Sequence, residues 1–192
     1  MTNSENSLGK ERVLGFFDRE VSMYILQDID RLTNEIRPDK DTGLRGCTVP
    51  LAMVLFAVID LFGYLTREDN DPKKTDTLGN FGYLLSEKAN FFPKIYQDNC
   101  DKIVKLFRHG LIHQFFPKAS GIAKAGLRYP LIFENSGIPN LNVDILSKDV
   151  KEALGRIKES IVQNYDSSLV ERINNRLHKL AKEDYETLNA II

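Results

Sequence analysis

The chain has 192 residues, of which 42% are hydrophobic, and this length and composition fit one globular domain with a full hydrophobic core. Its formal net charge of −1 excludes a general attraction to nucleic acid or to a membrane surface, so a nucleic-acid site would have to be a local patch. Two cysteines, Cys47 and Cys100, are too few for a disulfide framework and lack CxxC metal spacing. The first residues, MTNSENSLGK, contain no apolar stretch of a secretory signal, and we expect a cytoplasmic protein with reduced thiols.

The first half of the chain predicts three helices separated by polar loops. Residues 1–10 are expected to be disordered, and apolar residues at steps of three and four then predict a helix over 11–37. The apolar run 49–65 is short for a membrane span, and it contains Asp60, whose carboxylate would be costly inside a bilayer. We therefore expect this run to form the buried central helix of a bundle. A short helix is predicted over 78–88.

The second half of the chain predicts three further helices and a small β-hairpin. A helix is expected over 94–115, followed by a flexible segment at 118–126. Two short strands within 127–146 are expected to form a hairpin, with the first strand at a sheet edge because it contains a proline. Ser147 is predicted to cap the next helix, and the last helix begins near Ser167. The fold class expected is mainly α: a helical bundle of five to six helices with a small β-hairpin insertion.

The segment FRHGLIH, within the predicted helix over 94–115, carries the residues best suited to chemistry: Arg108, His109 and His113. Arginine presents a planar, charged fork to phosphate oxygens, and histidine can take up or release a proton near neutral pH. Cleavage of RNA without a metal needs both charge stabilisation and proton transfer. Two other interpretations remain open. Arg108 can be bonded to a neighbour on an ordinary helix surface, or the two histidines, at i and i+4, can form half of a metal site. No third ligand is identifiable, so no metal or cofactor is predicted.

The six residues RHGLIH, from Arg108 to His113, resemble the signature of the HEPN superfamily (higher eukaryotes and prokaryotes nucleotide-binding). That signature is an arginine, a polar residue, three further residues and a histidine, and the loose resemblance to its helical domains covers residues 11–192. It implies a metal-independent endoribonuclease that cleaves RNA by 2′-hydroxyl attack in a homodimer cleft where two motifs face each other. Arg108 would contact phosphate, His113 would act as the acid–base residue, and His109 would orient or support it.

The resemblance also implies a setting in stress response or phage defence, with an antitoxin or regulatory protein as a further partner. The alternative is a non-catalytic HEPN-like helical module that binds RNA, a nucleotide or a protein partner. Several members of the superfamily bind without cutting, so the motif alone leaves both functions open.

Four more residues are candidates for substrate binding. Lys105 and Lys118 belong to a basic stretch between residues 94 and 128, which would form the local patch that RNA needs. Asp60 precedes Tyr64 by four residues in an apolar helix, so its carboxylate must find a polar partner or a polar opening. We expect these four side chains to border the substrate. The other interpretations are a structural ion pair with an arginine for Asp60 and an ordinary exposed lysine for Lys118.

Overall fold

The structure is a computed structural model that describes residues 3–35, 47–68, 77–114, 121–123, 129–133, 139–163 and 166–191. Its helices are α1 (residues 3–35), α2 (Thr48–Thr66), α3 (Thr77–Leu84), α4 (Lys94–Gln97), α5 (residues 100–114), α6 (Val143–Val162) and α7 (Ser167–Ile191). Its strands are β1 (Gly121–Ala123), β2 (Leu131–Phe133) and β3 (Pro139–Asn142). The predicted mainly α fold with a small β insertion is confirmed. That residues 11–192 form a single domain stays a prediction.

Helix α2 is the central element of the fold. It is long and apolar enough to cross a membrane by length and composition, but 56% of its most apolar stretch is buried inside the protein. Its buried side chains join those of the surrounding helices in one hydrophobic core. Its high apolar content is explained by its position in the core, because most of its surface is covered by protein. The expectation of a buried central helix is confirmed.

Helix α1 begins at Asn3, so the expectation that residues 1–10 are disordered is wrong for residues 3–10. This first part of α1 packs along α7. The Nζ atom of Lys10 also donates a hydrogen bond of 2.9 Å to the carbonyl oxygen of Val162, at the end of α6. Tertiary contacts therefore stabilise the helix over residues 3–10, although this polar segment shows no apolar periodicity.

The predicted helix over 94–115 is divided into α4 and α5 by a turn at Asp98 and Asn99. The backbone of Asn99 leaves the helical region, with φ −122° and ψ 14°. Its side-chain amide donates to the carbonyl oxygen of Ile95 at 2.9 Å. Asparagine side chains compete in this way with the hydrogen bonds of a continuing helix, which explains the break.

The three strands form one sheet in the order β1-β3-β2. Strands β2 and β3 are antiparallel, with Leu131 opposite Leu141, and they are the predicted hairpin. Strand β1 lies parallel to the other edge of β3, with Ile122 opposite Leu141. The prediction that 118–126 is flexible is therefore wrong for residues 121–123. Parallel pairing joins segments that are distant along the chain, so the local pattern of residues does not predict it.

The hairpin leads directly into α6, which begins earlier than predicted. The side-chain oxygen of Asn142 accepts hydrogen bonds from the amides of Asp144 and Ile145, at 3.0 and 3.3 Å. Asn142 is therefore the N-cap. Ser147, the predicted cap, lies inside the helix and donates from its hydroxyl to the carbonyl oxygen of Asp144 at 3.2 Å.

Two arginines of α7 form hydrogen bonds with backbone carbonyls at the C-terminal end of α2. Arg172 donates from Nε to the carbonyl oxygen of Thr66 at 3.0 Å. Arg176 donates to the carbonyl oxygen of Tyr64 and lies over its ring, 5.3 Å from the centroid. The last carbonyls of a helix have no partner within it and carry partial negative charge, so cations at this end are stabilising. These contacts fix Tyr64 beside the pocket described next.

Candidate functional site

Arg108 is placed by the core face of α5. The side chains of Val104, Phe107 and Leu111 are buried and hold the helix against the core, and Arg108 points between α2 and α3. The turn Ile103–Arg108 is π-helical, as are Phe17–Ile25 and Arg31–Glu35 in α1. The Arg108 side chain is 18% exposed, so it is partly desolvated but still reached by solvent.

The guanidinium of Arg108 meets a cluster of polar side chains from the two other helices. Its Nη2 atom donates to Oδ2 of Asp60 at 3.4 Å and to Oγ1 of Thr77 at 3.2 Å. The Thr77 hydroxyl in turn donates to the same Asp60 oxygen at 3.2 Å. The other carboxylate oxygen, Oδ1, accepts a hydrogen bond of 2.7 Å from Nδ2 of Asn80. Three helices thus meet at one ion pair.

An open pocket of about 310 Å³ lies beside this ion pair. Its lining combines apolar and aromatic side chains of α2 with the polar groups of the cluster: Phe56, Ala57, Asp60, Leu61, Tyr64, Asn80 and Arg108. A concave, mainly apolar surface with a few convergent polar groups is typical of ligand sites.

The hydrogen-bonding capacity of Arg108 is only partly used. A guanidinium has five N–H donors, and the two on Nη2 are directed at Asp60 and Thr77. Among the described residues, Nε and Nη1 have no recorded partner. The 3.4 Å contact to Asp60 is also longer than a strong charge-assisted hydrogen bond. Arg108 can therefore keep its contact with Asp60 and still offer donors to an anion.

The structure brings together three of the predicted site residues, because Arg108, Asp60 and Tyr64 all line the pocket. The Asp60 contact is the arginine ion pair that the sequence left open as an alternative. His109 is half-buried and Lys105 is exposed, both on α5, and neither is among the described residues that line the pocket.

Two predicted site residues lie outside the part of the chain whose side chains are described. His113 belongs to α5 by its backbone, but its side chain is not described, and Lys118 lies wholly outside the described residues. Their roles stay predictions. Across the described ranges, no group of three or more His, Cys, Asp or Glu side chains could hold a metal ion.

Sequence reasoning missed Thr77 and Asn80. Their spacing of three residues places them on one side of α3, and Asn80 interrupts the apolar run LGNFGYLL. The side chain of Asn80 is buried, and a buried amide needs a polar partner. An asparagine on the apolar face of a short helix was thus the signal, but nothing local indicated that its partner is Asp60.

Comparisons with protein-family models, curated proteins and solved structures find no significant match to this chain.

Proposed function

We propose that this protein is a metal-independent endoribonuclease of the HEPN type, acting on RNA in the cytoplasm. The observation that supports it is the setting of Arg108, the first residue of the motif. Its guanidinium lies at an open pocket, is oriented by Asp60 and Thr77, and retains donors on Nε and Nη1. A preorganised guanidinium can stabilise the negative charge that develops on the phosphate oxygens during phosphoryl transfer.

The reaction follows from the residue types. A base removes the proton of a ribose 2′-hydroxyl, whose oxygen attacks the adjacent phosphorus while the bond to the 5′-oxygen breaks. The leaving oxygen takes up a proton, and the products are a 2′,3′-cyclic phosphate and a 5′-hydroxyl end. Arg108 would neutralise charge on the phosphate oxygens, and His113 would transfer protons. The second proton carrier would come from the same motif of another copy in a homodimer, with an antitoxin or regulatory protein as a further partner.

A second candidate is a non-catalytic helical module that binds RNA, a nucleotide or a protein partner in the same pocket. The observation that favours it is the Asp60 carboxylate, which lies 3.4 Å from Arg108 and reduces the positive charge of the pocket. An incoming phosphate must bind against this carboxylate, so the pocket favours a less charged part of a ligand, such as a base or a side chain, over a scissile phosphate.

RNA cleavage in the presence of EDTA separates the two candidates. The purified protein should cut a labelled single-stranded RNA and leave cyclic phosphate ends. His113→Ala and Arg108→Ala should each lower the rate at least about a hundredfold. Matched controls are Arg19→Ala, at a side chain that is 73% exposed, and His178→Ala, at an exposed histidine of α7. Cleavage that persists in both site variants, or that EDTA abolishes, would refute the nuclease proposal. Binding without cleavage would support the second candidate.

A further inference from the structure

We infer that Thr77 and Asn80 are positioning residues, which restrain Asp60 so that Arg108 keeps donors available for a phosphate. This inference deepens the proposed function, since it assumes that Arg108 binds RNA. Neither residue belongs to the motif, and both come from α3, a helix that the motif does not include.

Asp60 and Arg108 do not form a bidentate ion pair. An aspartate beside an arginine is most strongly bound when both carboxylate oxygens meet two guanidinium nitrogens in parallel. Here only Oδ2 of Asp60 faces Arg108, and it reaches a single nitrogen, Nη2, at 3.4 Å. The pair is therefore held away from its strongest arrangement.

The two residues of α3 account for this restraint. Asn80 binds Oδ1 of Asp60 at 2.7 Å, so this oxygen is turned away from the guanidinium. Thr77 bridges the pair, because its hydroxyl donates to Oδ2 of Asp60 and accepts from Nη2 of Arg108, both at 3.2 Å. Release of either restraint lets the carboxylate rotate onto Arg108, where it would occupy the donors that a phosphate needs.

The burial of Asn80 gives independent support. The residue is 5% exposed, and among the residues that the structure describes its buried Oδ1 atom has no hydrogen-bond partner. An unsatisfied buried amide oxygen lowers stability, and an apolar residue would avoid that loss. A role in holding Asp60 explains why an asparagine occupies this position.

The placement of α3 against α2 is also unusually close. A Cβ atom at Gly63 of α2 would lie 2.2 Å from the backbone oxygen of Asn80, so only glycine allows this approach. The approach brings Asn80 within hydrogen-bonding distance of Asp60, which lies about one helical turn before Gly63.

The first test measures RNA binding by fluorescence anisotropy in a His113→Ala background, where RNA should not be cut. Thr77→Val removes the hydroxyl but keeps the shape, and should weaken binding about tenfold. Thr77→Ser should retain it. Thr33→Val is the matched control, since Thr33 bonds to the backbone of its own helix at 2.6 Å. Equal binding by Thr77→Val and the parent, with RNA still bound, would overturn the inference and leave the proposed function standing.

The second test uses Asn80 and does not depend on RNA. In ¹⁵N-labelled protein, Asn80→Ala should slow hydrogen exchange at Nε of Arg108 about tenfold, because Asp60 now engages this edge of the guanidinium. Adding Asp60→Asn should restore the parent exchange rate, whereas poorer packing alone would make exchange faster, not slower. Unchanged exchange in a folded Asn80→Ala protein would overturn the inference. Failure of the parent protein to bind RNA would instead count against the proposed function.

Discussion

The replacement of Gly63 by alanine tests the close contact between α2 and α3 on which the site depends. The added Cβ would lie 2.2 Å from the backbone oxygen of Asn80 and 2.6 Å from its carbonyl carbon, whereas ordinary contact begins at 3.4 Å. Helix α3 must therefore move by about 1 Å or more, because a backbone atom cannot rotate away as a side chain can. Overpacking of this kind costs about 1–3 kcal/mol, and alanine regains up to about 1 kcal/mol of helix propensity. We expect a net loss of about 1 kcal/mol.

Gly155→Ala is the matched control, since Gly155 lies within α6 and a Cβ there would meet nothing within 4 Å. Only the propensity gain applies, so this variant should be more stable than the parent by up to about 1 kcal/mol. Urea denaturation followed by circular dichroism should show the two variants changing in opposite directions. Their melting temperatures should differ by roughly 4–8 °C for a chain of this size. The reasoning is refuted if Gly63→Ala is stabilised as much as Gly155→Ala.

Two further predictions concern α6. Asn142→Ala should lower the free energy of unfolding by about 1 kcal/mol, because two backbone amides lose their acceptor. In the same urea experiment Ser147→Ala should lower it by less. A larger loss for Ser147→Ala than for Asn142→Ala would contradict the assignment of Asn142 as the N-cap. Burial raises the pKa of Asp149 above 3.8, although the hydrogen bond from the Tyr96 hydroxyl lowers it. The folded state thus favours the protonated carboxyl, so this stabilisation is complete below pH 3.8 and is lost as pH rises through the raised pKa. Urea denaturation at a series of acidic pH values should show the free energy of unfolding falling as pH rises through the raised pKa. Asp149→Asn should remove this fall and Tyr96→Phe should make it larger. Identical pH profiles for the parent and the two variants would contradict the prediction.

Most helices could be predicted because their signals are local. Apolar residues at steps of three and four indicate the buried faces of α1, α6 and α7, and the long apolar run of α2 indicates a core helix. The sequence-based predictions were wrong where contacts with distant parts of the chain determine the structure. Residues 3–10 are helical because they pack on α7, and β1 exists because β3 offers it an edge.

The candidate site shows the same division. Local sequence indicated that the residues from Arg108 to His113 resemble the HEPN signature and that Asp60, the one charged residue of an apolar run, needs a polar partner. It also determined the residue types suited to phosphate chemistry. These conclusions need only the neighbours of each residue along the chain.

The pairing of Asp60 with Arg108, 48 residues away, depends on the tertiary packing. The same holds for the hydrogen bonds that Thr77 and Asn80 donate to Asp60. A hydrogen bond forms when two groups lie within about 3 Å of each other, and residues from separate helices reach that distance only through the packing of the core. Packing depends on the shapes of many side chains at once, which local periodicity does not record.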